Sequence, residues 1–230
     1  EPALGKSSMM YLEQVLKETR DDLFMDSEVA VTVFDEKTGG FKEVGEPGDG
    51  IHQAVKEKIN HFGIGSGERI PGPLRTRDDA VQVFATGKEG KSHIWAAGVV
   101  GRDCLLKDKT RNVKLIVNTT MDVPLAEVEG VPEIRVKITC RDKELTLREV
   151  LRALPTILRM IPVEGDSIIG CAHGMDRSIF VIFALAFYMT RNNKLFQQAY
   201  YLRPEMRMQP WGFFSGCIER VQLAIEDHGW

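Results

Sequence analysis

The sequence lacks the cysteine patterns that bind zinc or build a framework of disulfides. Its four cysteines, Cys104, Cys140, Cys171 and Cys217, are far apart, with neither a CxxC pair nor a His/Cys cluster of zinc-ligand spacing. Such a pattern is typical of a reducing compartment, where a free thiol survives. We therefore expect an intracellular, cytoplasmic protein. Because the chain begins with Glu1, an upstream targeting segment for an organelle stays open.

Long apolar runs and an excess of positive charge are missing too. The most apolar stretch, residues 179–189, is far shorter than the roughly 20 residues that cross a bilayer, so it predicts a buried helix and no transmembrane segment. The formal net charge of -3 argues against a DNA-binding protein with a broad basic surface. Any phosphate site must therefore be local. The oligomeric state has no signature in the sequence.

Turn residues and short alternating patterns dominate the first part of the chain. They predict a helix over residues 8–20, a hairpin formed by residues 29–34 and 41–44, and a helix over residues 51–62. The Gly/Pro-rich residues 63–73 are typical of a loop or linker, so we expect a domain boundary within residues 63–90. Residues 1–89 are thus predicted to be an N-terminal α+β extension or a small accessory domain.

The second part, residues 90–230, alternates strand and helix patterns. Strands are expected at residues 94–100, 113–117, 134–138 and 167–171. Helices are expected at residues 146–160, 177–191, 194–202 and 211–226. The alternation predicts an α/β fold with a mainly parallel central sheet flanked by helices.

The chemistry of the sequence concentrates in the octapeptide Cys171-Ala172-His173-Gly174-Met175-Asp176-Arg177-Ser178. A buried-strand pattern precedes it and a long apolar helix follows it, so residues 171–177 should turn from a strand end into a helix N-terminus. Backbone N–H groups converge in such a turn, and the helix dipole adds positive potential, so the loop predicts a phosphate site built on residues 172–177. The same potential should lower the pKa of Cys171 and favour its thiolate.

Three residues complete the predicted site. Arg177 can place its planar guanidinium over the anion that Cys171 attacks, with two parallel hydrogen bonds to phosphoryl oxygens. Gly174 permits a positive φ and a close approach of the backbone to the phosphate. Ser178 can donate a hydrogen bond to Cys171 Sγ, which makes the thiolate a better leaving group. We expect Cys171 to be the nucleophile and Arg177 the phosphate clamp; the alternative is a buried structural thiol beside a surface arginine.

At these residues the sequence resembles the cysteine-based protein tyrosine phosphatase superfamily, whose signature is Cys-x5-Arg followed by Ser or Thr. The resemblance to dual-specificity phosphatases extends over roughly residues 90–228. It includes Ile94-Trp95-Ala96-Ala97-Gly98, residues 114–119, and Arg203-Pro204 with Gly212-Phe213-Phe214. The resemblance implies a compact α/β phosphatase that needs no metal or cofactor and acts on phosphoproteins, phosphotyrosine included. It also implies a two-step reaction through a phosphocysteine intermediate.

The resemblance also implies a general acid on a loop upstream of the nucleophile. Asp142 follows a predicted strand roughly thirty positions before Cys171, and it would protonate the leaving oxygen and then activate water. The alternative interpretation of Asp142 is a solvated turn residue before a helix whose N-cap is Thr146. Cys140 is either a core residue or a partner for a protective disulfide with Cys171.

The loop departs from the family pattern at two positions. Gly170 replaces the usual histidine before the nucleophile, which leaves a pseudophosphatase that only binds phosphate as an alternative. Asp176 occurs at that place in myotubularin-type phosphoinositide phosphatases, and Cys-x-His-Gly resembles RNA 5′-triphosphatases. A phosphoinositide or an RNA 5′ end is therefore an alternative substrate. Asp176 can equally complement the helix dipole, and His173 is either a substrate contact or an exposed loop residue.

Overall fold

The structure is a computed structural model, and it describes residues 29–44, 63–64, 69–70, 80–86, 90–190 and 211–227. The helices predicted over residues 8–20, 51–62 and 194–202 lie outside the described residues, as does Arg203-Pro204. In the part of the chain described, no helix has the length and apolarity needed to cross a membrane.

A mixed sheet with helices packed on it forms the described fold. Its strands are β1 Val31–Asp35, β2 Gly40–Val44, β3 Gly63–Ile64, β4 Arg69–Ile70, β5 Ala80–Thr86, β6 Ser92–Ala97, β7 Val113–Asn118, β8 Pro132–Arg135 and β9 Gly165–Gly170. The described helices are α1 Val99–Lys107, α2 Lys143–Met160, α3 Arg177–Thr190 and α4 Trp211–Asp227.

The strand order is β2-β1-β8-β7-β9-β6-β5-β3, and β4 also pairs with β5. The four central strands, β8, β7, β9 and β6, are parallel. Helix α1 connects β6 to β7 and α2 connects β8 to β9, whereas residues 119–131 connect β7 to β8 without a helix. The outer strands are antiparallel on both sides. The predicted α/β class with a parallel centre is confirmed, as is the β1–β2 hairpin. The β1–β2 and β5–β6 pairs are antiparallel because their connections are too short for a helical crossover.

Several predicted boundaries are wrong. The strand expected at residues 94–100 ends at Ala97, because Val99 and Val100 open α1. The strand expected at residues 134–138 spans Pro132–Arg135. Helix α2 begins at Lys143 with Asp142 as its N-cap, so Thr146 is not the cap. Instead, the buried Thr146 hydroxyl donates to the carbonyl of Thr139 over 2.6 Å.

The main core lies between the sheet and helices α2, α3 and α4. Residues 179–187 of α3 are each at most 3% exposed, which confirms the predicted buried helix. Burial of each Phe or Ile there stabilises the fold by about 1.5–3 kcal/mol, so α3 is firmly packed. The loop that begins at Cys171 directly precedes this helix. A smaller cluster, including Trp95, Leu105 and Ile168, packs α1 against the other face.

Candidate active site

The loop of residues 171–177, hereafter the Cys171 loop, connects the end of β9 to the start of α3. Its first residue is hydrogen-bonded to the end of β6: the Cys171 N–H donates to the Ala97 carbonyl over 3.1 Å. Val99 N–H donates to the Ala172 carbonyl over 3.3 Å, and Phe180 N–H donates to the Asp176 carbonyl over 2.9 Å as a first bond of the helix. The predicted turn from strand end to helix N-terminus is therefore confirmed.

Gly174 is required by the way the loop packs on β6. Its φ is +68°, as predicted, and a Cβ there would lie 2.4 Å from the nitrogen of Gly98 and 2.5 Å from the carbonyl carbon of Ala97. The positive φ and these short distances both strongly disfavour any residue with a Cβ at position 174. The close approach that needs glycine is thus to the end of β6, whereas the sequence suggested an approach to the phosphate.

The Cys171 thiol is buried and surrounded by donors. The residue is 5% exposed, Gly174 N–H donates to Sγ over 3.1 Å, and the Ser178 hydroxyl lies 3.5 Å from Sγ. Burial opposes ionisation, but hydrogen bonds from Ser178 and from the His173 backbone, with the charge of Arg177, leave the pKa of Cys171 below its ordinary value. The loop therefore stabilises a thiolate, as the sequence predicted.

The remaining residues of the loop have distinct environments. Met175 packs against the main core, and exposed His173 pairs through its backbone with Gly98. The Oδ1 atom of Asp176 is buried and has no hydrogen-bond partner among the described residues. Burial raises the pKa of Asp176 to about 6, although Arg177 and His173 act in the opposite direction.

Arg177 faces an aspartate that sequence reasoning missed. Its Nη1 atom lies 3.5 Å from Oδ1 of Asp122, and the two side chains are 21% and 75% exposed. Asp122 belongs to residues 119–131, hereafter the Asp122 loop, which follows β7. Ligands in open α/β sheets bind outside the carboxyl ends of the strands, so the position of Asp122 after β7 was the available signal.

A buried hydrogen-bond network holds the Asp122 loop against the Cys171 loop. The side chain of Asn118 donates to Glu133 Oε1 over 3.2 Å, and Glu133 Oε2 accepts from the Ala126 N–H over 2.6 Å. Thr119 donates to the Gly170 carbonyl through both its N–H and its hydroxyl. Burial raises the pKa of Glu133, against the hydrogen bonds that it accepts. The network joins the ends of β7, β8 and β9.

Asp142 lies on the segment after β8, at the N-terminus of α2. Its carboxylate accepts a hydrogen bond from the Leu145 N–H over 3.0 Å, and the residue is exposed. The nearby Cys140 is also exposed, and partial burial of its thiol raises its pKa, with smaller effects from the charges of Arg177, Asp176 and Cys171. This segment therefore borders the Cys171 loop. The acid role of Asp142 and the disulfide of Cys140 stay predictions.

The chain matches no protein-family model and no curated protein. Solved structures of similar fold include human DUSP28, a dual-specificity phosphatase, at 20% sequence identity and a TM-score of 0.48, with 58% of this chain and 90% of that chain covered. A variant of the same human protein has 20% identity and a TM-score of 0.46, with 56% and 92% covered.

Proposed function

We propose that this chain is a cysteine-dependent phosphatase of the dual-specificity or tyrosine type. It hydrolyses phosphomonoesters on phosphoproteins, phosphotyrosine included, through a phosphocysteine intermediate. The observation that supports this most is the buried Cys171 sulfur, which accepts the Gly174 N–H over 3.1 Å directly before helix α3. A thiolate and a phosphate dianion are favoured at this position by the same backbone donors and the same helix dipole.

In the first step the Cys171 thiolate attacks phosphorus. The Sγ–P bond forms as the P–O bond to the leaving group breaks, and Asp142 supplies the proton that the leaving oxygen takes. Arg177 and the N–H groups of the Cys171 loop bind the three remaining phosphoryl oxygens, on which negative charge grows in the transition state.

In the second step a water molecule attacks phosphorus and the Sγ–P bond breaks. Asp142, now a carboxylate, takes the proton from the water, and inorganic phosphate leaves. The Ser178 hydroxyl, 3.5 Å from Sγ, stabilises the departing thiolate and so assists this step. No metal has a part in either step.

Phosphate binding without turnover is the second candidate function. The capping contact between Asp142 and the Leu145 N–H favours it, because a carboxylate held as an N-cap is drawn towards α2. Asp122 also forms an ion pair with the Arg177 guanidinium, with 3.5 Å between Oδ1 and Nη1. A phosphate-binding loop without an acid would retain affinity and lose most of the rate.

Phosphate release from phosphotyrosine peptides, phosphoinositides and triphosphorylated RNA tests the proposal. We expect turnover of phosphopeptides, its loss in Cys171→Ser, and a fall of about a hundredfold in Asp142→Asn. Asparagine caps a helix as well as aspartate does, so Asp142→Asn removes the proton and keeps the cap, whereas Asp142→Ala removes both.

Three results would change the proposal. Turnover of the lipid or the RNA in place of the peptides would move the enzyme to that substrate class. Full turnover in Asp142→Asn would remove Asp142 from the mechanism. Binding of phosphopeptides without turnover of any substrate would favour the second candidate.

A further inference from the structure

A separate cavity lies beside the Asp122 loop, at the sheet edge that carries Cys171. It has a volume of about 370 Å³ and is bordered by the start of β1, the end of β8 and one face of α2. The parallel strands β8, β7 and β9 all end at this edge. Two strand spacings separate β8 from β9, so the cavity begins about 10 Å from the strand that leads into Cys171.

The cavity is positively charged in a chain whose formal net charge is -3. Arg135, Lys137 and Arg152 line it, together with the single carboxylate of Glu149. Three positive charges and one negative charge leave a net charge of +2 there. Glu149 is paired to Arg152 over 3.4 Å, and among the described residues neither Arg135 nor Lys137 forms an ion pair with a carboxylate.

The two remaining cations have donors to offer an anion. Arg135 uses two of its N–H groups on the carbonyls of Met121 and Val123, over 3.4 Å and 2.7 Å, while its buried Nε has no acceptor among the described residues. Lys137 is exposed and makes no ion pair within the described part of the chain. The guanidinium of Arg135 retains further N–H groups and the ammonium group of Lys137 has three, and charged donors of this kind bind phosphoryl oxygens strongly.

Part of the cavity lining is apolar. This part consists of Val29, Ala30, Leu125 and Ala153. A lining that combines apolar and cationic side chains matches an amphiphilic group, such as the side chain of a phosphorylated residue. The volume of about 370 Å³ accommodates one such side chain.

Arg135 connects the cavity to the Cys171 loop. The two carbonyls that it binds belong to the neighbours of Asp122, and Asp122 lies 3.5 Å from Arg177. A ligand that spans the Asp122 loop would therefore place one group on Arg177 and another on Arg135.

We infer that this cavity is a second phosphoryl-binding subsite, which takes the phosphorylated side chain of another residue in the same substrate. The inference rests on the proposed phosphoprotein substrate. An extended peptide advances about 3.3 Å per residue, so a separation of about three residues between the two phosphorylated positions spans the distance.

The test compares peptides of one sequence that carry a phosphotyrosine alone, or with phosphothreonine one, three or five residues away. Dissociation constants are measured on the full chain bearing Cys171→Ser, and KM and kcat on the chain with Cys171. We expect the three-residue spacing to lower the dissociation constant and KM about tenfold relative to the singly phosphorylated peptide.

In Lys137→Glu the dissociation constants of the singly and doubly phosphorylated peptides should become nearly equal, so that their ratio is close to one. In Lys137→Met the ratio should fall only partly. Lys114→Glu is the matched control, because Lys114 is exposed at the amino end of β7, on the opposite edge of the sheet. It changes the net charge equally and should keep the tenfold ratio. Thermal unfolding of each variant checks that it is folded.

The outcomes separate the subsite from the catalytic proposal. Tighter, Lys137-dependent binding of the doubly phosphorylated peptide without turnover supports the subsite and contradicts the phosphatase. Turnover with equal KM for both peptides supports the phosphatase and overturns the subsite. Equal loss in Lys137→Glu and Lys114→Glu, or binding of neither peptide, also overturns it.

Discussion

Among single residues, Cys171 has the environment that matters most for reactivity. Its pKa is lowered because the donors around Sγ and the charge of Arg177 outweigh burial, whereas burial raises the pKa of Cys140. Iodoacetamide alkylates the thiolate, so near pH 7 Cys171 should react ahead of Cys140 in spite of its burial. In Ser178→Ala the alkylation rate of Cys171 near pH 7 should fall several-fold, because one hydrogen bond to the thiolate is lost.

Mass spectrometry of the alkylated peptides, taken over a series of pH values, measures both rates in one sample. Cys140 is the internal control. An unchanged alkylation profile of Cys171 in Ser178→Ala would show that the hydroxyl does not stabilise the thiolate.

The buried carboxyl group of Asp176 should make the free energy of unfolding depend on pH. Its pKa in the folded chain is about 6, above its ordinary value of 3.8, because the carboxyl is largely buried. The folded state therefore binds more protons than the unfolded state between these values, and stability from this group falls as the pH rises from about 4 to about 6. Asp176→Asn should remove that loss and raise the free energy of unfolding at pH 7 by about 1 kcal/mol, allowing for solvent screening.

Urea unfolding of Asp176→Asn and of the parent chain at pH 4 and at pH 7 checks this expectation. The stability difference between the two proteins should appear mainly at pH 7. A difference of the same size at both pH values would mean that ionisation of Asp176 is not its cause.

At the scale of elements, the seating of the Cys171 loop on β6 is the contact most sensitive to substitution. Gly174→Ala should destabilise the chain by about 3 kcal/mol or more, because it adds backbone strain at positive φ and a clash with Gly98 and Ala97. Gly39→Ala is the matched control: Gly39 has φ +63°, and nothing lies within 4 Å of a Cβ there. Gly39→Ala should lower the free energy of unfolding by about 1 kcal/mol, because it adds backbone strain without a clash.

Chemical denaturation of both variants gives the two free energies, and phosphate affinity gives a second readout. Equal destabilisation would show that backbone strain, and not the contact with β6, makes glycine necessary at 174.

The elements also show what the sequence could and could not predict. The Cys171 loop was predictable because its residue types, the strand before it and the apolar helix after it all indicate one structure. Helix α1 was not predictable from the sequence, because Val99 and Val100 continue a strand pattern and only Gly101 and Leu105 of α1 are buried. Its start is decided by tertiary contacts, such as the bond from Val99 N–H to the Ala172 carbonyl.

The same limit explains why Asp122 and the charged cavity were missed. Asp122 reaches Arg177 only because β7 and β9 are neighbours in the sheet, although they are far apart in the chain. The cations of the cavity come from β8, the segment directly after it and α2, and no spacing within one segment brings all three together. Residues that meet across parallel strands leave no local pattern.

At the scale of the whole molecule, the sheet crosses the domain boundary expected within residues 63–90. Strands β1 to β5 precede residue 90, and they pair with β8 on one side and with β6 on the other. Val31, Val81 and Val83 are each at most 2% exposed, so they are part of the buried interior. The structure thus predicts that residues 90–230 depend on the earlier strands for stability.

A truncation to residues 90–230 should therefore lose much of the stability of the full chain. It uncovers the backbone edges of β8 and β6, and it removes three buried valines worth about 1.5–3 kcal/mol each. We expect a markedly lower Tm or aggregation, measured by thermal unfolding and by binding of a hydrophobic dye. A truncation to residues 29–230 is the control, because it keeps all nine strands of the sheet. If the 90–230 fragment unfolds at the same temperature as the control, residues 1–89 are an accessory unit and the shared sheet contributes little to stability.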